Sequence, residues 1–117
     1  MDSENLVNRI GELILAKKGH DVKVLDLQTV TTFTDYFIIA SADSDTHVKA
    51  IADGIEDVLT DEEGIKCLHK EGFTGLNWVL LDYIDVVVHI FLKEARGFYN
   101  LEKLWGDAPV RVIEDEE

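Results

Sequence analysis

The chain has one cysteine, one proline and no long run of apolar residues. A lone cysteine, Cys67, cannot form an internal disulfide, so a domain of 117 residues has to be stabilised by its core. The 46% of hydrophobic residues is sufficient for such a core. These residues come in short clusters, far below the roughly 20 consecutive apolar residues that a membrane span requires. We therefore expect a globular protein with no membrane contact.

The sequence also lacks a recognisable targeting signal or interdomain linker. The N-terminus, Met-Asp-Ser-Glu-Asn, has neither the basic region nor the apolar core of an export signal, which together with the lone cysteine predicts a cytoplasmic protein. No repeat or Gly/Ser-rich stretch divides the chain, and Pro109 falls just before the acidic end. We expect one domain over residues 1–108, followed by a flexible acidic tail over residues 109–117 to which we assign no role.

Basic residues are scarce, with 11 lysines and arginines against 24 aspartates and glutamates, for a formal charge of -13. Such a charge repels phosphate backbones and favours encounter with basic partners. The composition therefore predicts little or no direct nucleic acid binding.

Three segments show the three-to-four-residue apolar spacing of amphipathic helices. The first begins near Leu6 and ends near Gly19, and the second follows the capping side chains of Asp43, Ser44 and Asp45. The last covers about residues 94–105, with its inward residues predicted to be Ala95, Phe98, Leu101, Leu104 and Trp105.

Five segments are typical of strands, at about residues 22–27, 36–41, 65–71, 77–83 and 85–91. The predicted order is α-β-β-α-β-β-β-α, an α/β domain in which helices pack against a mixed sheet.

The last two strands form a predicted hairpin whose two faces differ. A reversal at Tyr83-Ile84 would place Asp82 opposite Asp85 and Trp78 opposite His89. One face is then apolar, with Val79, Leu81, Val86 and Val88, and the other is mixed, with Trp78, Leu80, Asp82, Asp85, Val87 and His89. The mixed face is either a binding surface or the underside of a covering helix, and a third possibility is a homodimer contact of the free protein.

The sequence gives only weak support for catalysis. Asp82 and Asp85 with a divalent metal could serve a nucleotidyltransferase-like enzyme, which is the alternative hypothesis. Carboxylates at hairpin ends are nevertheless common, and we interpret His89 as structural. Cys67 and His69 are too few for a zinc site. No phosphate-binding loop or nucleophile motif is present, so we predict no catalytic residue, metal or cofactor.

Several blocks, taken in order, resemble the ribosomal silencing factors, also called the Iojap family. They are Val24-Leu25-Asp26-Leu27, Thr34-Asp35-Tyr36-Phe37-Ile38-Ile39-Ala40, Glu71-Gly72, Trp78-Val79-Leu80-Leu81-Asp82-Tyr83, Asp85-Val86-Val87-Val88-His89-Ile90-Phe91 and Arg96-Gly97-Phe98-Tyr99-Asn100-Leu101-Glu102-Lys103-Leu104-Trp105. Each block is weak alone, but their joint order and spacing make the match specific.

The resemblance implies a fold related to the nucleotidyltransferases without their catalytic apparatus. It also implies docking on the large ribosomal subunit through its protein L-fourteen, which keeps the small subunit away and lowers translation when nutrients are scarce. The partner-binding residues that it implies are Trp78, Leu80, Asp82, Tyr83, Arg96, Tyr99 and Lys103.

Two positions depart from the family pattern. Ile84 and Ala42 stand where the family usually has glycine. Because a β-branched residue resists positive φ, we expect the turn at Ile84 to differ from the usual one.

Overall fold

The computed structural model describes residues 1–114. Its elements, in chain order, are α1 (Ser3–Ala16), β1 (His20–Asp26), β2 (Tyr36–Ala42), α2 (Asp45–Glu63), β3 (His69–Glu71), β4 (Trp78–Asp82), β5 (Val86–Leu92), α3 (Lys93–Tyr99), α4 (Leu101–Leu104) and β6 (Val110–Ile113). The predicted α/β class and the predicted order of the first eight elements are confirmed.

The six strands form one mixed sheet in the order β3-β4-β5-β2-β1-β6. Strands β2 and β5 are parallel neighbours, and every other adjacent pair is antiparallel. The short strands β3 and β6 are therefore the two edges of the sheet.

Helices α1 and α2 cover one face of the sheet and form the larger core with it. The side chains of Ile10, Ile51 and Ile55 are fully buried in that core. The predicted apolar face of the hairpin lies against this layer, and Val79, Leu81, Val86 and Val88 are all fully buried there. This part of the hairpin prediction is confirmed.

The opposite face of the sheet is only partly covered. A smaller core joins Leu25, Phe37, Ile39 and Phe91 to Leu101 of α4. Helix α3 packs against β5 and β2, so the cover lies over the middle of the sheet. On β3, at the edge, His69 and Glu71 are exposed.

The capping prediction for α2 is confirmed. Ser44 is the N-cap, and its hydroxyl accepts a hydrogen bond from the backbone N–H of His47 at 3.1 Å. The helix ends at Gly64, which adopts a left-handed conformation with φ of 67°. Within residues 1–114, no helix has the length and apolar character needed to cross a membrane.

The predicted last helix is broken in two. Asn100 has φ of 45°, which ends α3 and starts α4, and asparagine tolerates this conformation better than most residues. The break turns residues on either side of it away from the sheet, so Phe98 is 84% exposed and Leu104 is 73% exposed. The prediction that Phe98 and Leu104 point inward is wrong, whereas Leu101 is buried as predicted.

Part of the segment that we predicted to be a flexible tail is instead ordered. Val110–Ile113 is strand β6, which pairs antiparallel with β1. Ile113 lies against Gly11 of α1, and the Arg111 guanidinium donates to the Asn8 side chain at 2.9 Å. The β-branched residues of the segment Val-Arg-Val-Ile favour a strand, although acidic residues follow directly after it. Residues 115–117 lie outside the described part of the chain.

Candidate docking surface

The hairpin of β4 and β5 has a different register from the predicted one. Asp82 lies opposite Val87, and Trp78 lies opposite Phe91. The predicted pairs of Asp82 with Asp85 and of Trp78 with His89 are therefore wrong. Because the register moves by two residues and side chains alternate with a period of two, every residue within β4 and β5 keeps its predicted face, whereas Asp85 lies in the turn.

The turn at Ile84 explains the shift in register. Ile84 adopts φ of 74°, and the Asp85 N–H donates to the Tyr83 carbonyl at 2.9 Å across it. The Asp82 carboxylate accepts from the Ile84 N–H at 2.8 Å. The Tyr83 N–H donates to the Val86 carbonyl at 2.9 Å, so the reversal lies at Ile84 and Asp85. Our assumption that a β-branched residue would avoid positive φ here was wrong, and the turn retains strain.

The mixed face of the hairpin is open at the β3 side of the sheet. We call this region the Trp78 surface and define it by His69, Glu71, Trp78, Leu80 and Asp82. Trp78, Leu80 and Asp82 are partly buried, and His69 and Glu71 are exposed. Three of the seven candidate binding residues, Trp78, Leu80 and Asp82, are thus brought together on one surface.

Trp78 is held by aromatic contacts on this surface. Its ring stacks on Phe91 with 5.1 Å between centroids, and Tyr99 of α3 lies 4.7 Å away at an angle of 47°. Its indole Nε1–H donates to Nδ1 of His89 at 3.0 Å. Tyr99, another candidate binding residue, is half exposed and extends the surface onto α3.

His89 lies beneath the surface and is only 3% exposed. Burial lowers the pKa of its imidazole from 6.5 to about 3, so the ring is neutral near neutral pH. Since Nδ1 accepts from Trp78, the proton resides on Nε2, which has no hydrogen-bond partner among the described residues. The prediction that His89 is a structural residue agrees with this position, with Phe37 packed 4.5 Å from the ring.

Tyr83, also a candidate for partner binding, does not lie on the Trp78 surface. Its side chain is 6% exposed and belongs to the core beneath α1 and α2. Burial raises the pKa of its hydroxyl, which has no partner among the described residues. This position favours support of the hairpin over direct contact, because the side chain faces the opposite layer.

Arg96 is likewise buried, at 7% exposure, and connects several elements. Its guanidinium donates to the Asp21 carbonyl, to the Ser41 hydroxyl at 2.9 Å and to the Glu102 carboxylate at 3.2 Å. Asp21 has φ of 53° at an irregularity in the pairing of β1 with β2. Arg96 therefore fixes α3 and α4 on the sheet, and its burial leaves its head group little access to a partner.

The last candidate, Lys103, is exposed on α4. The sequence reading missed two exposed aromatic residues, Phe98 and Phe33. Phe98 lies edge-on to Tyr99 at 5.2 Å, and Phe33 lies edge-on to Trp105 at 6.4 Å. For Phe98, Asn100 was the residue in the sequence that could have indicated its exposure, because a helix break at Asn100 changes which side of α3 faces the sheet.

The Asp82 and Cys67 side chains near this surface contact the backbone. Among residues 1–114, no three His, Cys, Asp or Glu side chains are grouped so as to hold a metal ion. The Asp82 carboxylate caps the turn at Ile84, and burial raises the pKa of the Cys67 thiol. The fold and the surface thus define a small α/β domain with a tryptophan ring held by aromatic contacts and with carboxylates on the same sheet face.

The chain belongs to the ribosomal silencing factor family, because the family model described as "Ribosomal silencing factor during starvation" matches residues 1–117. It is 49% identical over 98 residues to the ribosomal silencing factor RsfS of Bacillus subtilis, covering 84% of this chain and 82% of that protein. It is 39% identical over 114 residues to the RsfS protein of Halalkalibacterium halodurans, covering 97% of each chain.

A solved structure shows the same fold. A Chromobacterium violaceum protein superposes with a TM-score of 0.86 at 35% identity, covering 91% of this chain and 88% of that chain. The resemblance stated from the sequence blocks is therefore confirmed at the level of family and fold.

Proposed function

We propose that this protein binds the large ribosomal subunit through its protein L-fourteen and sterically blocks association with the small subunit. The outcome is repression of translation under nutrient limitation. The protein acts by occupying a surface and not by catalysis, and its place of action is the cytoplasm, where the subunits join.

The observation that supports this function is the open Trp78 surface in a member of the ribosomal silencing factor family. An indole held by Phe91, Tyr99 and His89 is ordered before binding, so little conformational entropy is lost when a partner covers it. Aromatic anchors of this kind dominate the energetics of protein interfaces. The carboxylates of Glu71 and Asp82 on the same surface, and the charge of -13, suit a basic ribosomal protein.

Co-sedimentation with purified ribosomal particles tests the proposal. A steric blocker and the small subunit cannot occupy one surface, so we expect binding to isolated large subunits and none to joined ribosomes. Equal co-sedimentation with both particles would contradict the steric mechanism. Addition of the protein to separated subunits before mixing should reduce the joined fraction in a sucrose gradient.

The salt dependence of association provides a second test. Long-range attraction between an acidic protein and a basic partner is screened over about 8 Å at physiological ionic strength. We expect the association rate to fall as salt rises, whereas the dissociation rate should change less. A rate that stays constant between low and high salt would contradict the electrostatic part of the proposal.

The same Trp78 surface could pair two copies of the free protein. Light scattering measures the oligomeric state of the protein, first alone and then after addition of large subunits. The proposal is that any homodimer dissociates on binding, since both contacts use Trp78. A dimer that persists on the subunit would show that dimerisation uses another surface.

A further inference from the structure

A groove of about 240 Å³ lies beside Trp78. It is lined by Glu71, Gly72, Trp78 and Leu80. Two of these residues, Glu71 and Gly72, form one of the sequence blocks but are not among the seven candidate binding residues.

The backbone at Gly72 brings the two sides of the groove together. Gly72 has φ of 92°, and a Cβ built there would lie 2.0 Å from the Trp78 carbonyl oxygen. Only glycine permits both the conformation and the close approach. The segment after β3 can therefore lie against the start of β4, which puts Glu71 beside the docking anchor.

The groove combines an apolar wall with one negative edge. Leu80 lies directly across from Glu71 in the pairing of β3 with β4, so both side chains lie on the Trp78 face. The Glu71 carboxylate is exposed and lies 3.0 Å from Nε2 of the exposed His69. Lys70 points to the opposite face, where its ammonium pairs with Glu56 of α2 at 3.2 Å, so it does not neutralise the groove.

We propose that this groove is a subsite for one long basic side chain, an arginine or a lysine, of the protein partner. The apolar stem lies along Leu80 and the indole of Trp78, and the cationic head pairs with the Glu71 carboxylate. Basic side chains bury their stems on apolar surface while the charged head remains near water, and a cation beside an indole gains further attraction. This subsite rests on the proposed function, since it specifies which partner chemistry the Trp78 surface recognises.

The first test uses the isolated protein and a small probe. Blocked arginine, N-acetyl-arginine amide, is titrated while NMR follows the Trp78 indole and the Leu80 methyl resonances. We expect saturable shifts with a Kd on the order of millimolar, which suits a single side chain. Blocked citrulline has the same shape without the charge and should bind at least about tenfold more weakly.

The Glu71→Gln variant separates the subsite from general acidity. Glu71 is exposed, so the variant should keep the wild-type denaturation midpoint while losing the response to blocked arginine. Asp57→Asn is the matched control, because it removes one charge from α2 on the other side of the sheet. An equal response to citrulline, an unchanged response of Glu71→Gln, or no saturable shift with blocked arginine would overturn the proposal.

The second test uses large subunits. Glu71→Gln should raise the Kd for isolated large subunits about tenfold, and Asp57→Asn should leave it unchanged. If the wild-type protein binds subunits and Glu71→Gln binds equally well, the subsite is wrong while the proposed function stands. If blocked arginine binds as expected but the wild-type protein does not bind subunits, the proposed function fails and the groove remains a site for a basic side chain.

Discussion

The indole Nε1–H of Trp78 donates to Nδ1 of His89 across 3.0 Å, and only a neutral imidazole can accept this bond. The two residues lie on one sheet face, where Phe37 and Phe91 pack against the imidazole and the indole respectively. The orientation of the partly buried Trp78 ring therefore depends on the protonation state of a buried histidine.

The first prediction concerns pH. Burial lowers the pKa of His89 from 6.5 to about 3, so between these values the unfolded chain binds a proton that the folded chain does not. The contribution of His89 to stability is fully present above pH 6.5 and is lost as pH falls toward 3. We expect the free energy of unfolding to fall by about 1.4 kcal/mol per pH unit from this group within that window.

His89→Gln provides the comparison, because the glutamine carbonyl can accept from Trp78 and does not titrate. Denaturant unfolding of both proteins at pH 7, 6 and 5 isolates the histidine, since the carboxylates are common to both. Below pH 6.5, the free energy of unfolding of the wild type should fall steadily relative to that of His89→Gln. Parallel curves would show that His89 does not remain neutral in the folded state.

The second prediction separates the two tryptophans. Trp78→Ala removes the anchor of the Trp78 surface and should weaken binding to large subunits by roughly 2 kcal/mol or more. Trp78→Ala will also lower stability, because the ring stacks on Phe91 and packs at a tilt against Tyr99. Binding is therefore measured on the folded fraction, below the onset of unfolding.

Trp105→Ala is the control for Trp78→Ala. Trp105 is partly buried and packs against Phe37 of the smaller core at 5.7 Å, and it does not line the groove beside Trp78. We expect Trp105→Ala to lower the denaturation midpoint while leaving the affinity of the folded protein within about twofold. If Trp78→Ala binds large subunits as well as the wild type does, Trp78 is not the anchor.

The sequence predicted the faces of the hairpin better than its register. Alternation of apolar residues places Val79 and Val88 on the core face, and the observed shift by two residues preserves that face. The register depends on the turn conformation instead, and Ile84 adopts a φ that is unusual for a β-branched residue. Periodicity contains no information about such a strained residue.

The buried polar residues were harder to anticipate than the apolar core. Helical spacing predicted that Phe98 is buried and did not predict burial of Arg96, yet Arg96 is buried and Phe98 is exposed in the structure. The burial of Arg96 and the exposure of Phe98 have two causes that helical spacing does not predict. The helix breaks at Asn100, and Ser41 and Glu102 lie within hydrogen-bonding distance of the Arg96 guanidinium. Tertiary partners determine where a charge can be buried.

The third prediction concerns the strained turn. Ile84→Gly should stabilise the protein by about 1 kcal/mol, because positive φ costs a β-branched residue roughly 1–3 kcal/mol and glycine loses only part of that gain in backbone entropy. Little burial is lost, since Ile84 is exposed. Calorimetry should show a rise in Tm of about 4 °C.

Leu68→Gly is the matched control for the turn. Leu68 is also an exposed apolar residue beside the β4 end of the hairpin, but its φ is not positive. Glycine at Leu68 should lower stability by about 0.5–1 kcal/mol through backbone entropy alone. If Ile84→Gly lowers stability as much as Leu68→Gly does, the turn at Ile84 stores no strain.

The fourth prediction concerns Gly72, which brings the β3 edge close to Trp78. Alanine at Gly72 would place its Cβ 2.0 Å from the Trp78 carbonyl oxygen, at a φ of 92° that only glycine adopts readily. Relief requires displacement of the backbone, so Gly72→Ala should cost about 3 kcal/mol or more of unfolding free energy.

Gly75→Ala is the control in the same loop, because nothing lies within 4 Å of its Cβ and its φ is not positive. Denaturant unfolding should therefore show a large loss for Gly72→Ala and a change below about 0.5 kcal/mol for Gly75→Ala. Equal effects of the two substitutions would mean that the loop can move away from β4 without loss, and the groove beside Trp78 would then not be fixed by Gly72.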